Sequence, residues 1–265
     1  MNSFLSKIFL LVILLINLSC TKQKQEFSFV QLCDTQLGMG GYEHDIATFK
    51  QAVEQINHLN VDFAVICGDL VNDATDSTYA DFLGIMKGFE IPCYVAPGNH
   101  DVGNNPSDTS LTYYRKFIGE DYFDFSHKGF SFLVTNTQLW KVYVEQESEK
   151  HEQWFNESLK KNKEENLPKI VIGHYPIFTE SPEEEDHYYN LPLGKRNEIL
   201  AAFKKNNVKA YLSGHTHKLI INNYENIQMV SGETTSKNFD ERPMGFRLWK
   251  VSTDTLKHQF IPLKQ

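Results

Sequence analysis

The chain has 265 residues, 41% hydrophobic, 23% charged and 13% aromatic, which excludes a disordered chain and a collagen-like repeat; with 4 Cys it is no disulfide scaffold either. Its formal net charge is −8 and no Lys/Arg run forms a basic stripe, so no nucleic-acid partner is expected. An acidic protein that handles phosphate needs a local cation against its own field, which directs attention to metal ligands.

Met1–Ser19 reads as an export signal peptide: Lys7 gives a short positive start and Ile8–Ile16 is an unbroken apolar run. The run is too short for a hydrocarbon core of about 30 Å, which takes roughly 20 apolar residues. It ends in Leu18-Ser19-Cys20, before the polar stretch Thr21–Glu26, and resembles a bacterial lipoprotein signal in which Cys20 becomes the lipidated first residue. Asn17 stands where such signals prefer Leu. The expectation is an exported protein held on a membrane of a bacterial cell envelope through Cys20, with a soluble secreted or periplasmic protein as the alternative. Residues 26–265 are expected to form one domain. Cys33, Cys67 and Cys93 each lie in or at the end of an apolar run and are expected as buried free thiols, a Cys33–Cys67 bridge being the alternative.

Phe27–Cys33 reads as a strand and is followed by a helical period at Ile46, Phe49, Val53, Ile56 and Leu59. Phe63–Cys67 is a continuous apolar run of the doubly buried, parallel-strand type. A helix over Tyr79–Phe89 and a strand over Ile91–Ala96 complete a β-α-β-α-β order, which implies right-handed crossovers and a parallel sheet. The second half predicts strands at Phe130–Thr135, Lys169–Ile172 and Val208–Leu212, with helices at Glu145–Lys161 and Arg196–Lys205. Further β-type runs follow at Ile220–Tyr224, Ile227–Val230, Phe246–Val251 and His258–Ile261. The pattern predicts one α/β domain of two facing sheets flanked by helices.

Each polar cluster of chemical interest sits just after a predicted strand: Asp34-Thr35-Gln36, Gly68-Asp69, Gly98-Asn99-His100-Asp101, Gly173-His174 and Gly214-His215-Thr216-His217. In α/β sheets the carboxyl ends of the strands face one edge, where ligands bind. Asp34, Gln36, Asp69 and Asn99 offer oxygen; His174, His215 and His217 offer nitrogen. Such mixed ligation suits transition metals rather than Ca, and seven groups suit two ions that share a carboxylate better than one. A pair about 3.5–4 Å apart can clamp a phosphoryl group and lower the pKa of a bridging water. Each cluster alone is weak, since an Asp after a strand is commonly a cap and an H-x-H string a surface accident. Their joint occurrence at successive strand ends carries the reading.

The set D-x-Q, G-D-x-x-N, G-N-H-D, G-H-x-P and G-H-T-H resembles the calcineurin-like metallophosphoesterase superfamily, and within it the branch with Gln in place of His in the first motif, which includes serine/threonine protein phosphatases. The resemblance implies a four-layer α/β/β/α sandwich with a dinuclear centre. It implies a first ion on Asp34, Gln36, Asp69 and His217, and a second on Asp69, Asn99, His174 and His215. Because the Gln36 amide oxygen is a weaker ligand than imidazole for a late metal, the first site is expected to be looser or biased toward Mn or Mg, among Mn, Fe, Zn and Mg.

By the same resemblance His100 would face the scissile phosphate, protonating the leaving oxygen or stabilising developing charge. Asn72 occupies the place where some relatives have an Asp that orients this histidine, and Asp101 is a further candidate for that effect. The segment Glu183–Asp186 reads as a solvated loop, while His187-Tyr188-Tyr189-Asn190 is placed to roof the cleft, with Tyr188 and Asn190 as candidate substrate contacts. Arg242 and Arg247 are candidates for phosphate binding or for ion pairing, and Trp154 with Phe155 for the core.

The expected function is hydrolysis of a small-molecule or peptide phosphomonoester by a metal-activated water, with Asp69 and His100 as catalytic residues. The alternatives are a phosphodiesterase acting on cyclic nucleotides or other diesters, and a non-catalytic lipoprotein that binds metal or phosphate.

Overall fold

The computed structural model describes residues 26–161, 166–252 and 254–264, so the expected signal peptide and Cys20 lie outside the described residues. The first half runs β1 (Phe27–Leu32), α1 (Tyr42–Asn57), β2 (Phe63–Cys67), α2 (Asp76–Met86), β3 (Cys93–Ala96), α3 (Asn99–Val102) and α4 (Asp108–Phe117). The second half runs β4 (Phe123–His127), β5 (Phe130–Val134), α5 (Gln138–Lys141), α6 (Glu147–Lys160), β6 (Lys169–Ile172), α7 (Leu193–Lys205) and β7 (Val208–Ser213). The β-rich tail supplies β8 (Ile220–Tyr224), β9 (Ile227–Ser231), β10 (Gly245–Val251) and β11 (Leu256–Pro262).

Two mixed sheets result, in the orders β11-β10-β1-β2-β3 and β4-β5-β6-β7-β9-β8. β1, β2 and β3 pair in parallel, as do β5, β6, β7 and β9, so the chemical strand ends of each sheet leave by one edge. The tail divides between the sheets. β8 and β9 extend the second, whereas β10 and β11 return to the first, where β10 pairs antiparallel with β1 and β11 antiparallel with β10.

Three apolar clusters define the layers. Val30, Leu32, Ala64 and Ile66 pack outward against Phe49 and Val53 of α1 and Phe82 of α2. Phe29, Phe63 and Val65 point the other way and meet Phe132, Ile170, Ala210 and Leu212 of the second sheet. Beyond it, Leu133, Val171 and Tyr211 meet Phe155 of α6 and Ile199 and Phe203 of α7. The period-2 alternation of each strand thus feeds two cores, and helix/sheet/sheet/helix is the four-layer architecture expected. Between the sheets, the Phe29 and Phe63 rings stack at 5.1 Å and Phe132 meets Phe63 edge-on at 5.1 Å. Each such buried ring contributes about 1.5–3 kcal/mol. Gln31 is the polar exception: its Nε2 donates to the carbonyls of Ser213 and Val230 and its Oε1 accepts from Trp249 Nε1, so it ties the sheets together without an unpaired amide.

α3, α4, β4 and α5 were not expected from the pattern. α3 and α5 have 4 residues each, too few for a period to show. α4 is capped by Ser107, the residue before it, whose Oγ accepts from the Ser110 amide. Trp154 and Phe155 lie in the outer core as expected. Cys33 and Cys67 are buried free thiols, while Cys93, on edge strand β3, is only half-buried, a correction to the expectation for that residue. Among the described residues no helix is long and apolar enough to cross a membrane.

Candidate metal centre and active site

The loops after β1, β2, β3, β6 and β7 bring the expected ligands to one place. Asp69, His174 and His215 form one group and Asp34, Asp69 and His217 another; in each, the ligand atoms lie within 4.8 Å of one another and every residue is buried. Asp69 belongs to both. Asn99, the first residue of α3, sets its Oδ1 3.1 Å from His174 Nε2, and Gln36 is buried after β1.

Local geometry is bent to this purpose. Asp34 (φ 48°), Gln36 (31°), Asp69 (50°), His215 (68°) and His217 (51°) all occupy the left-handed region. Each such residue costs on the order of 1 kcal/mol, and strain of this kind gathers where the surrounding structure has a reason to hold it. Two glycines permit the close approach. A Cβ at Gly98 would fall 2.1 Å from Asp69 Oδ1, and one at Gly214 would fall 2.5 Å from Asp34 Oδ2.

Backbone carbonyls orient all three imidazoles. His174 Nδ1 donates to Cys67 O (2.8 Å), and His217 Nδ1 donates to Lys237 O (2.6 Å), which leaves each Nε2 for the centre. His215 is turned round: its Nε2 faces Tyr188 O at 3.4 Å and its Nδ1 lies 3.2 Å from His174 Nε2. Such outer partners set the tautomer and raise the basicity of a metal-binding histidine.

The electrostatics fit a cation. Burial pushes the Asp69 carboxyl up, but the His174 imidazolium, 3.3 Å away, outweighs it and holds Asp69 well below the usual carboxylate range. Burial pushes His174 down, yet Asp69 raises it to about 9. Burial, with the His174 charge beside it, keeps His215 neutral far below its ordinary value, and burial raises Asp34. A divalent cation bound among these ligands would displace the proton from His174. Gln36 Oε1 is a buried acceptor without a hydrogen-bond partner among the described residues, while its Nε2 donates to Asn72 Oδ1 (3.3 Å). The donor set and this orphaned oxygen fit a divalent metal pair.

Three expectations about the surroundings need correction. The Asn72 side chain does not orient His100; it holds the Gln36 amide, and the Asn72 carbonyl accepts from His100 Nδ1 at 2.7 Å. Nor does the Asp101 carboxylate hydrogen-bond the His100 imidazole among the described residues. Its carboxylate accepts from the amides of Leu70, Val71 and Gly98, joining the loops after β2 and β3, and burial and the Asp69 charge raise it to about 8. Asn190 is internal to its loop, donating to Glu184 Oε1 and Glu185 O and accepting from the His187 amide. Tyr188, by contrast, reaches the centre: Asn99 Nδ2 donates to its hydroxyl at 3.3 Å.

Glu183–Asp186 is more than a solvated loop. Glu184 accepts from the amides of Thr179, Glu180 and Ser181, and Asp186 pairs at 2.9 Å with the buried Arg196. Arg242 and Arg247 both pair with buried Glu233, at 3.1 and 2.8 Å.

Thr137, Lys141 and Phe239 escaped the sequence analysis. Thr137 Oγ1 accepts from the amides of His174 and Tyr175; Lys141 Nζ donates to the carbonyls of His187, Tyr188 and Asn190; Phe239 stacks on His217. The string Thr135-Asn136-Thr137-Gln138 after a strand was the one available signal.

Residues 27–219 match the family model for the calcineurin-like phosphoesterases. The chain is 31% identical to serine/threonine-protein phosphatase CPPED1 of Danio rerio over 264 residues, covering 90% of this chain and 85% of the relative. It is 30% identical to the 3′,5′-cyclic adenosine monophosphate phosphodiesterase CpdA of Haemophilus influenzae over 203 residues, covering 73% and 69%. The fold matches the crystal structure of a dimetal phosphatase from Danio rerio with a TM-score of 0.65 at 16% identity, covering 90% of this chain and 99% of that one. The chain is therefore a member of the calcineurin-like phosphoesterase family and a hydrolase of phosphoester bonds.

Proposed function

We propose that the chain hydrolyses phosphomonoesters of small molecules or peptides with two divalent cations, one held by Asp34, Gln36, Asp69 and His217 and the other by Asp69, Asn99, His174 and His215. The observation that carries this reading is the membership of Asp69 in both ligand groups, since a shared carboxylate can hold two cations side by side. When bound, such cations polarise phosphoryl oxygens and lower the pKa of a coordinated water toward neutrality. Because the neutral Gln36 amide replaces an imidazole, the first site favours Mn or Mg.

His100 is the residue we assign to the leaving oxygen. Its Nδ1 is committed to the Asn72 carbonyl, so Nε2 is the nitrogen that exchanges the proton. Its amide donates to Asp69 Oδ1 at 2.9 Å, which ties the position of the acid to that of the shared carboxylate.

The monoester reading draws support from the phosphatase relatives, matched over 85% of their length against 69% for the cyclic-nucleotide phosphodiesterase. That second relative favours the alternative, a diesterase. Assays of p-nitrophenyl phosphate and its bis-ester on metal-stripped protein reloaded with Mn, Fe, Zn or Mg separate the two. Monoesterase activity predicts the higher kcat/KM on p-nitrophenyl phosphate. A preference for the bis-ester would overturn the choice.

We infer further that residues 1–19 export the protein and that Cys20 is lipidated, on the strength of Lys7, the Ile8–Ile16 run and Leu18-Ser19-Cys20. The intact mass of membrane-extracted protein tests this. A mature chain that begins elsewhere, or that lacks the lipid mass, sinks it.

A further inference from the structure

Exposed large apolar side chains are few among the described residues: Tyr143, Tyr188, Tyr189, Leu193, Ile221 and Phe239. Half of them surround the buried polar centre. The Tyr188 ring lies 4.8 Å from His215 with 50% of the residue exposed, and Tyr189 lies 5.6 Å from the same imidazole. Phe239 lies almost parallel to His217, at 4.5 Å and 14°, with 39% of the residue exposed. Tyr188 thus stands beside the Asp69–His174–His215 group and Phe239 beside the Asp34–Asp69–His217 group.

Both rings are held in place. Lys141 donates to the carbonyls of His187, Tyr188 and Asn190, and the Tyr188 hydroxyl accepts from Asn99. The Phe239 amide donates to His217 O at 3.1 Å, and His217 Nδ1 returns a bond to Lys237 O. Apolar rings left open to water at the mouth of a polar site gain by covering with another apolar face, and rings fixed beforehand lose little entropy in doing so.

We propose that Tyr188 and Phe239 form a stacking rim that selects phosphoesters whose alcohol portion carries a planar ring, aryl or nucleobase, over aliphatic ones. This rests on the phosphoester hydrolysis proposed above and names its substrate class. Stacking follows from π-faces and tolerates differences in ring chemistry, so the selection is for planarity rather than for one compound.

Benzyl phosphate and cyclohexylmethyl phosphate test it, because both release a primary alcohol of similar size and differ in the flatness of the ring. The wild type is expected to favour benzyl phosphate about tenfold in kcat/KM. Tyr188→Ala and Phe239→Ala are each expected to bring that ratio toward one, while Ile221→Ala, equally exposed on β8, keeps it. Adenosine 5′-phosphate against ribose 5-phosphate distinguishes the sources: a preference of the same size assigns a nucleobase, and none assigns a compact aryl group. Calorimetric binding of benzylphosphonate and cyclohexylmethylphosphonate gives the ratio without turnover. Equal kcat/KM and equal binding for the flat and puckered pair overturn the stacking rim and leave the hydrolase standing. Ring-selective binding without any turnover supports the rim and overturns the hydrolase reading. Equal loss on both esters in the two variants, with the ratio unchanged, makes the rings mere supports of Asn99 and His217 and overturns the proposal.

Discussion

Gly98→Ala sets a single methyl against the carboxylate that both ligand groups share. The added carbon falls 2.1 Å from Asp69 Oδ1 and 2.3 Å from the Asp69 amide nitrogen, where a carbon-to-oxygen contact needs about 3.3 Å. Gly98 has φ −110°, open to alanine, so the effect is one of contact and not of backbone strain. Asp69 cannot retreat as a unit: its carbonyl accepts from the Gln36 amide at 2.8 Å and its Oδ1 from the His100 amide at 2.9 Å. The strain must therefore move either the shared carboxylate or the loop bearing Asn99 and His100 by about 1 Å, a misplacement that costs on the order of 10²-fold in rate. Overpacking of this kind destabilises by about 1–3 kcal/mol, and each kcal/mol lowers Tm by about 2–4 °C in a domain of this size. The variant should thus stay folded at 25 °C while kcat/KM on p-nitrophenyl phosphate falls about a hundredfold and bound metal declines. Calorimetry, metal analysis and steady-state kinetics read the three quantities. Gly194→Ala in α7, where an added Cβ meets nothing within 4 Å, should be neutral or stabilising by about 0.5–1 kcal/mol. A Gly98→Ala protein with parental activity and metal content would refute the reasoning.

Asp69→Asn should abolish phosphatase activity and reduce metal content at both positions; a protein that keeps two equivalents of metal, or undiminished turnover, contradicts the shared-carboxylate assignment. His100→Gln should retain its metal and lose about 10²–10⁴-fold in kcat, together with one limb of the pH–rate profile; an unchanged profile removes His100 from proton transfer. Burial pushes the Glu184 carboxyl up, but bonds from Asn190 and from the amides of Thr179, Glu180 and Ser181 outweigh it and hold it at about 2. Its folded value is depressed, so its contribution is complete above the unfolded value of about 4.3 and is lost as pH falls from there toward 2. The stability gap between parent and Glu184→Gln, from urea unfolding, should therefore be constant above about pH 5 and shrink below it. A gap that widens in acid would show that these bonds do not favour the charged form.

The candidate site was largely legible in the sequence because its ligands follow strands whose apolar runs are unmistakable, Phe63–Cys67 before Asp69 and Val208–Ser213 before His215. Hydrophobic period locates a strand end, and parallel pairing sends such ends to one edge. Residue type then restricts what each end can do, so the seven ligand candidates and the layered α/β architecture were expected from chemistry that is local in the chain.

What surrounds those ligands was decided only by folding. Whether Asn72 serves His100 through its amide or its carbonyl, whether Asp101 faces the acid or the backbone, and where Asn190 points depend on contacts between elements with no common period. His215 donates its amide to Asp34 across 181 residues, and Lys141 reaches Asn190 across 49. The return of β10 and β11 to the first sheet, against the nearer β8 and β9, is of the same kind. Amphipathic periodicity reports which face of an element is buried, but not which partner buries it. The partner follows from the competition of all elements for the same apolar area, and that competition exists only in the assembled fold.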